Sequence, residues 1–175
     1  MKMFTPVLVA FAFALSAHAW TTTQDAADRL GASKVKEVSF EKNSDKLSDA
    51  QKAEIRTAIQ EAAQKGKIDE VKVLAWSDKE YPTENGKQTK GEVGLAKNRI
   101  KYLKSFLKEE LKVKNIDTHN MAERPNTLEK MFNTSDAKVK NTTEASGAAP
   151  TAGNTGLFDL KAQASKGVVM VFLKR

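Results

Sequence analysis

The run Val168-Val169-Met170-Val171-Phe172-Leu173 constrains the fold of this chain more than any other segment. It is continuously apolar and follows a glycine, Gly167. A strand that is solvated on one face alternates apolar and polar residues, whereas an unbroken apolar run is typical of a strand covered on more than one face. The sequence therefore predicts an interior strand at 168–173.

Alternating elements precede this strand. Val38 and Phe40 alternate with polar residues, which predicts a short half-buried strand. The segment Ser48-Asp49-Ala50-Gln51 has the form of a capping box, and the helix that it opens is expected to end near Gly66. A second strand is predicted at about 71–76, followed by a second amphipathic helix. The apolar stripe of that helix consists of Ala96, Ile100, Leu103, Leu107 and Leu111, with Phe106 beside it.

The remaining part of the chain is more varied. A third strand is expected at about 115–121, and a short helix at about 126–132 after Pro125. Residues 135–156 are rich in Ala, Thr, Gly and Asn, which predicts a mobile surface loop. The order βαβαββ, with the short helix before the last strand, predicts an α/β (α+β) sandwich, in which helices pack on a mixed sheet.

The N-terminal segment has the form of a cleaved secretory signal. Met1-Lys2-Met3 supplies a positive start, residues 7–15 are apolar, and Ala17-His18-Ala19 matches a small-x-small cleavage site. The apolar stretch is too short for a bilayer, which needs roughly 20 such residues. The sequence thus predicts a signal peptide at 1–19, an N-terminal extension at 20–34 and one domain at 35–175, exported to the periplasm.

Composition narrows the function. The chain has no cysteine, so it has no disulfide framework and no thiol for a lipid anchor. Outside the signal, His119 is the only histidine, which argues against a multi-histidine metal site, and no Gly-x-Ser-x-Gly segment occurs. We therefore expect a non-catalytic protein without a cofactor or a membrane anchor of its own.

Two charged residues suggest a binding site. Asp78 closes the second predicted strand, and Arg99 lies near the start of the helix that follows. A strand end and the next helix start meet at one edge of an α/β unit, so a carboxylate would lie beside a guanidinium and a helix N-terminus. Such a pair can bind both charges of a small zwitterion. The same spacing equally allows a mutual salt bridge between Asp78 and Arg99.

Four segments carry a resemblance to known proteins. In chain order they are Val38-Ser39-Phe40-Glu41-Lys42-Asn43-Ser44 with Leu47-Ser48, Ala75-Trp76-Ser77-Asp78, Leu95-Ala96-Lys97-Asn98-Arg99, and Met121-Ala122-Glu123-Arg124-Pro125. They resemble, respectively, the opening strand and helix start, the Gly-x-Thr-Asp strand end, the Leu-Ser-x-x-Arg helix start and the Gly-x-Gly-Glu-x-x-Pro segment of OmpA-like peptidoglycan-associated domains. The resemblance extends from Val38 to the C-terminus.

This resemblance implies non-covalent binding of peptidoglycan. Asp78 would meet the ammonium group of diaminopimelate in the stem peptide, and Arg99 would meet its carboxylate. Ser77 keeps the hydroxyl of the family's threonine, and Trp76 either walls the pocket or belongs to the core.

The chain also departs from the family pattern. The loop after Asp78 is longer, Glu92 stands where the family has an asparagine, and the two arginines before the last strand are missing. Asn85, in the lengthened loop, is a candidate to replace that asparagine. These departures support a second interpretation, an OmpA-like domain that has lost peptidoglycan binding and serves as a protein-interaction scaffold in the envelope.

A basic stripe on the second helix has two interpretations. It could follow an anionic envelope polymer, or it could be a solvated helix face. The second is favoured because Glu109 and Glu110 interrupt the stripe and no aromatic residues interleave with it, so nucleic acid is not an expected partner. The stripe consists of Lys97, Lys101, Lys104 and Lys108.

Overall fold

A computed structural model describes residues 22–150 and 164–175, which form a four-stranded mixed sheet with helices on both faces. The predicted α/β (α+β) sandwich is confirmed. The signal peptide predicted at 1–19 lies outside these residues. The elements are α1 (Thr22–Leu30), β1 (Lys34–Ser39), α2 (Asp49–Lys65), β2 (Ile68–Ala75), α3 (Lys90–Ser105) continued by a π-helical turn (Phe106–Glu110), β3 (Ile116–Asn120), α4 (Thr127–Met131), α5 (Ser135–Ala145) and β4 (Lys166–Leu173).

The strands are ordered β1-β4-β2-β3, so the apolar run lies inside the sheet as predicted. Strand β4 is antiparallel to both of its neighbours, and β2 and β3 are parallel, with α3 between them in the chain. Gly167 lies opposite Val38 on one side and Ala75 on the other. A Cβ atom there would lie 3.0 Å from Leu103 and 3.1 Å from Phe40, so a larger residue would have to displace these side chains by a few tenths of an ångström.

Helices α2 and α3 cover one face of the sheet, which we call the aliphatic face. The capping box of α2 forms as predicted, with Ser48 and Gln51 bonding to each other's backbone N–H groups, and Gly66 caps its C-terminus. Large aliphatic and aromatic residues from both helices pack against alternate residues of the strands. This cluster includes Ile55, Ile59, Leu103, Phe106 and Leu107 from the helical segments, and Val71, Val73, Val169 and Val171 from the strands.

Helices α1 and α5 cover the opposite face, which we call the small-residue face. The prediction of a mobile loop at 135–156 is therefore corrected: residues 135–145 form a helix capped by Thr134, and Val139 and Thr143 are buried. Small side chains let the α5 backbone pack closely against the sheet. The prediction failed because the segment contains few large apolar residues. Residues 151–156 lie outside the described residues. The buried cluster consists of Ala26, Ala27, Leu74, Trp76, Tyr81, Met121, Val139, Ala148, Ala149, Val168 and Met170.

The segment predicted as an N-terminal extension contributes to this face. Residues 22–30 form α1, and Ala26 and Ala27 are fully buried. Residue 34 already begins β1. Each helix within residues 22–150 and 164–175 is too short or too polar to span a bilayer.

The small-residue face also contains paired charges. The ring of His119 is buried, with Nδ1 2.9 Å from Asp136 and Nε2 3.2 Å from Asp117. Lys140 bonds Asp136 at 2.7 Å, and Lys72 bonds Asp117 at 2.8 Å. Burial alone would raise the pKa of Asp117, but the hydrogen bond from Lys72 and other nearby contacts lower the pKa to about 2. These contacts connect α5 to β2 and β3.

Candidate functional site

The structure brings Asp78 and Arg99 together at the carboxyl end of β2. Arg99 Nη2 lies 2.5 Å from Asp78 Oδ1, so the mutual salt bridge allowed by the spacing is present. The Arg99 side chain is fully buried, and the Asp78 side chain is 8% exposed. Contact of either residue with a ligand remains a prediction.

Backbone carbonyls accept hydrogen bonds from most of the remaining N–H groups of Arg99. Its Nε donates to Ser44 at 2.8 Å, Nη1 to Trp76 at 2.9 Å, and Nη2 to Glu41 at 3.2 Å. With the bond to Asp78, four of its five N–H hydrogens are used. The guanidinium also lies 4.8 Å from the ring centroid of Phe40. Arg99 thus joins the turn after β1 to the end of β2.

The carboxylate of Asp78 accepts hydrogen bonds from three donors. In addition to Arg99, it accepts hydrogen bonds from the Asn43 backbone N–H at 2.6 Å and from Ser165 Oγ at 2.7 Å. Burial alone would raise the pKa of Asp78, but these three hydrogen bonds outweigh it and lower the pKa. The carboxylate therefore stays ionised within a closed arrangement.

Two of the other predicted site residues lie behind this pair. Ser77 is buried, donates from Oγ to Gln88 at 2.8 Å and accepts from the Lys79 N–H at 3.1 Å. Trp76 belongs to the core of the small-residue face, so its core interpretation is the observed one. The ammonium of Lys166 lies 4.9 Å from the centroid of the Trp76 ring system and 3.2 Å from Glu37.

Asn85 and Glu92 occupy different surroundings. Asn85 is exposed and lines a cleft of about 660 Å³ between residues 82–88 and residues 122–130. Glu92 lies in the first turn of α3, where its N–H donates to Thr89. One carboxylate oxygen of Glu92 is buried without a hydrogen-bond partner in the described part of the chain. No hydrogen bond or ion pair connects either residue to Asp78 or Arg99 within residues 22–150 and 164–175.

Asn43 and Ser165 were not predicted as site residues. Both have left-handed backbone conformations, with φ of 58° at Asn43 and 67° at Ser165. Asn adopts this region several-fold more often than most residues, so the Lys42-Asn43-Ser44 sequence carried a turn signal. For Ser165, no local signal was available, because its conformation is held by distant partners. Its N–H bonds Ser77 at 2.7 Å, and its carbonyl accepts from Phe40 at 2.6 Å.

Comparison with protein-family models and with characterised proteins found no match. Within the described ranges, no group of three or more acidic, histidine or cysteine side chains is arranged to hold a metal ion. The candidate site thus consists of two parts. One is the closed ion pair of Asp78 and Arg99, and the other is the open polar cleft that Asn85 lines.

Proposed function

We propose that this chain is a non-catalytic periplasmic domain that binds peptidoglycan through the diaminopimelate of its stem peptide. The observation that supports the proposal is the 2.5 Å contact between Asp78 and Arg99. The resemblance assigns the two ligand-binding charges to these residues, and the fold brings them to one place from positions 21 residues apart. Arginine suits a carboxylate because its planar fork can bond both oxygens.

Ligand binding at this pair is an exchange of partners. The ligand ammonium replaces Arg99 at Asp78, while the ligand carboxylate takes the released Nη2 group of Arg99. The internal ion pair is lost in the process, and the bond from Ser165 to Asp78 has to give way. Because each charge-assisted bond contributes about 1.5–3 kcal/mol and the lost pair offsets part of this, we expect weak binding, roughly micromolar to millimolar.

Co-sedimentation with isolated peptidoglycan sacculi tests this proposal. Wild-type protein should sediment with sacculi, and free diaminopimelate should compete. Asp78→Asn and Arg99→Lys should each lower sedimentation about tenfold, the latter because an ammonium cannot reproduce the forked geometry. Arg56→Ala, which removes an exposed partner of Glu110, is the matched control and should bind normally. Folded wild-type protein that stays in the supernatant would overturn the proposal.

Two further variants test the exchange. Ser165→Ala removes one of the hydrogen bonds that close Asp78, so it should tighten binding if the pair must open. Glu92→Asn removes a negative charge from the first turn of α3 and should also tighten binding of a ligand carboxylate. Unchanged affinity in both variants would contradict the exchange while leaving peptidoglycan binding itself intact.

A second candidate function is a protein-interaction scaffold in the envelope. The specific observation in its favour is a patch of large apolar side chains at α4, where Leu128, Met131 and Phe132 are 62%, 68% and 74% exposed. The saturation of Arg99 also fits a domain that has lost its ligand. A photo-crosslinking residue at position 132 should then capture an envelope protein in cells, whereas the same residue at exposed Lys97 should not.

A further inference from the structure

The cleft lies at the carboxyl ends of the parallel strands β2 and β3, on the same side of the sheet as the Asp78–Arg99 pair. Residues 82–88 belong to the loop that leaves β2, and residues 122–130 follow β3. The carboxyl ends of parallel strands are a general location for ligands in open α/β sheets. The cleft volume of about 660 Å³ also lies within the range of about 300–1,000 Å³ that is usual for small-ligand sites.

The walls of this cleft are held in place by polar contacts. Arg124 donates from Nε to the Pro82 carbonyl at 2.6 Å, forms a two-pronged salt bridge with Glu144, and lies 4.8 Å from the centroid of the Tyr81 ring. Gln88 accepts from Ser77 at 2.8 Å and donates to the Glu80 carbonyl at 2.5 Å. The lengthened loop is therefore fixed to the body of the domain at both ends, and the cleft is preformed.

The floor and the rim of the cleft differ in chemistry. Pro82, Ala122 and Pro125 are buried lining residues and offer a small apolar floor. Four exposed charged residues also line the cleft: Glu84, Lys87, Glu123 and Lys130. None of the four makes a salt bridge or a side-chain hydrogen bond within the described residues, so both signs of charge are available to a ligand.

We propose that this cleft binds a short peptide with free carboxylate and ammonium groups and small apolar side chains. The apolar floor takes a small side chain, the lysines take carboxylates, and the glutamates take an ammonium group. The identity of this peptide as a peptidoglycan stem peptide rests on the function proposed above. The cleft contacts the peptide without opening the Asp78–Arg99 pair, so it is a second contact site distinct from that pair.

Charge reversal at the rim tests this site. The probe is a soluble muropeptide that carries a diaminopimelate tripeptide, titrated into exported protein by calorimetry, alongside sacculus sedimentation. The variants are Lys87→Glu with Lys130→Glu, and Glu84→Lys with Glu123→Lys. Each should weaken binding about tenfold, and circular dichroism should remain unchanged because these side chains make no salt bridge or side-chain hydrogen bond within the described residues. Lys97→Glu with Lys101→Glu on α3 changes net charge by the same amount as the first variant and should bind within twofold of wild type.

The outcomes separate the two proposals. Wild-type protein that binds neither sacculi nor muropeptide overturns peptidoglycan binding and the cleft assignment with it. Wild-type binding that survives both cleft variants overturns the cleft alone. If the α3 control loses as much binding as the cleft variants, the effect is due to net charge alone. That result would also overturn the assignment of the cleft as a binding site. Loss confined to the cleft variants supports it.

Discussion

Both faces of the sheet contain fully buried residues, but the side chains that cover the two faces differ in size and polarity. On the aliphatic face, α2 and α3 contribute large side chains such as Ile55 and Leu103, both 0% exposed. On the small-residue face, Ala26 and Ala27 of α1 are equally buried, and the polar side chains of His119 in β3 and Lys140 in α5 are buried beside the carboxylate of Asp136. The comparison teaches that a covering helix need not carry a stripe of large apolar residues.

The cover of the small-residue face should be essential. Replacing residues 135–149 with a Gly/Ser segment of equal length removes the buried side chain of Val139 and the Asp136 partner of His119. We expect loss of most of the free energy of unfolding, which is about 5–15 kcal/mol for a domain, and no cooperative transition in urea. A Gly/Ser replacement of residues 83–87, all exposed except Gly86, is the control. A melting temperature within a few degrees of wild type after the 135–149 replacement would show that α5 is dispensable.

The next effect concerns Arg99, where the two faces meet. It contacts Phe40 of the aliphatic face and bonds the carbonyl of Trp76 in the small-residue face. Arg99→Ala leaves buried carbonyls and Asp78 without their cation and should lower the free energy of unfolding by about 3–5 kcal/mol. Arg56→Ala at an exposed pair should lower it by less than about 1 kcal/mol. Similar values from urea denaturation of both variants would show that Arg99 does not brace the fold.

Opposite changes of side-chain size should separate the two faces. Leu103→Ala leaves a cavity on the aliphatic face and should cost about 2–5 kcal/mol of unfolding free energy. Ala27→Leu overfills the small-residue face and should cost about 1–3 kcal/mol. Ala50→Leu, on an exposed position of α2, should change stability by less than about 0.5 kcal/mol. If Ala27→Leu proves neutral in urea denaturation, the small-residue face is looser than its packing indicates.

The smallest predicted effect is a difference in acid sensitivity. Burial raises the pKa of Asp117 and Asp136, but their hydrogen bonds outweigh it, so both pKa values lie below the usual 3.8. Groups with lowered folded-state pKa stabilise fully above their unfolded pKa and lose this contribution as pH falls through the folded value. For Asp117, this window runs from about 4 to about 2 and involves about 1 kcal/mol, since a third of its side chain stays in water.

Hydrogen exchange can locate this acid effect. As pH falls below 4, protection should decrease in α5 before it decreases in α2, after correction for intrinsic exchange rates. Asp117→Asn should lose part of that pH dependence. Simultaneous loss of protection in both helices would show that the paired charges do not distinguish the faces.

The aliphatic face was predictable from the sequence, because its signals are local. The capping box at Ser48, the stripe through Leu103 and the apolar run of β4 each lie within one element. The small-residue face was missed, although the apolar run already required a cover on both faces. Helix α5 carries Lys, Thr, Asn and Ala, and its burial depends on partners such as His119 that are 17 residues away.

The candidate site was also predictable only in part. The meeting of Asp78 and Arg99 was predicted from a strand end and a helix start. The two residues do meet, but Arg99 is the tenth residue of α3, which begins at Lys90, so its predicted position near the helix start is wrong. The closure of the pair depends on the Ser44 and Glu41 carbonyls and on Ser165, which is 87 residues from Asp78. Backbone carbonyls carry no side-chain signature, so sequence could not distinguish a ligand site from a closed ion pair.

The central position of β4 also affects the order in which the chain can fold. Strand β1 pairs only with β4 among the described strands, so residues 34–39 have no sheet partner until residues 166–171 have been synthesised. A nascent chain that lacks β4 holds β1 apart from the β2–β3 pair, with both apolar faces open. Such a chain stays exposed to chaperones, and the last eight residues of the sheet complete the domain.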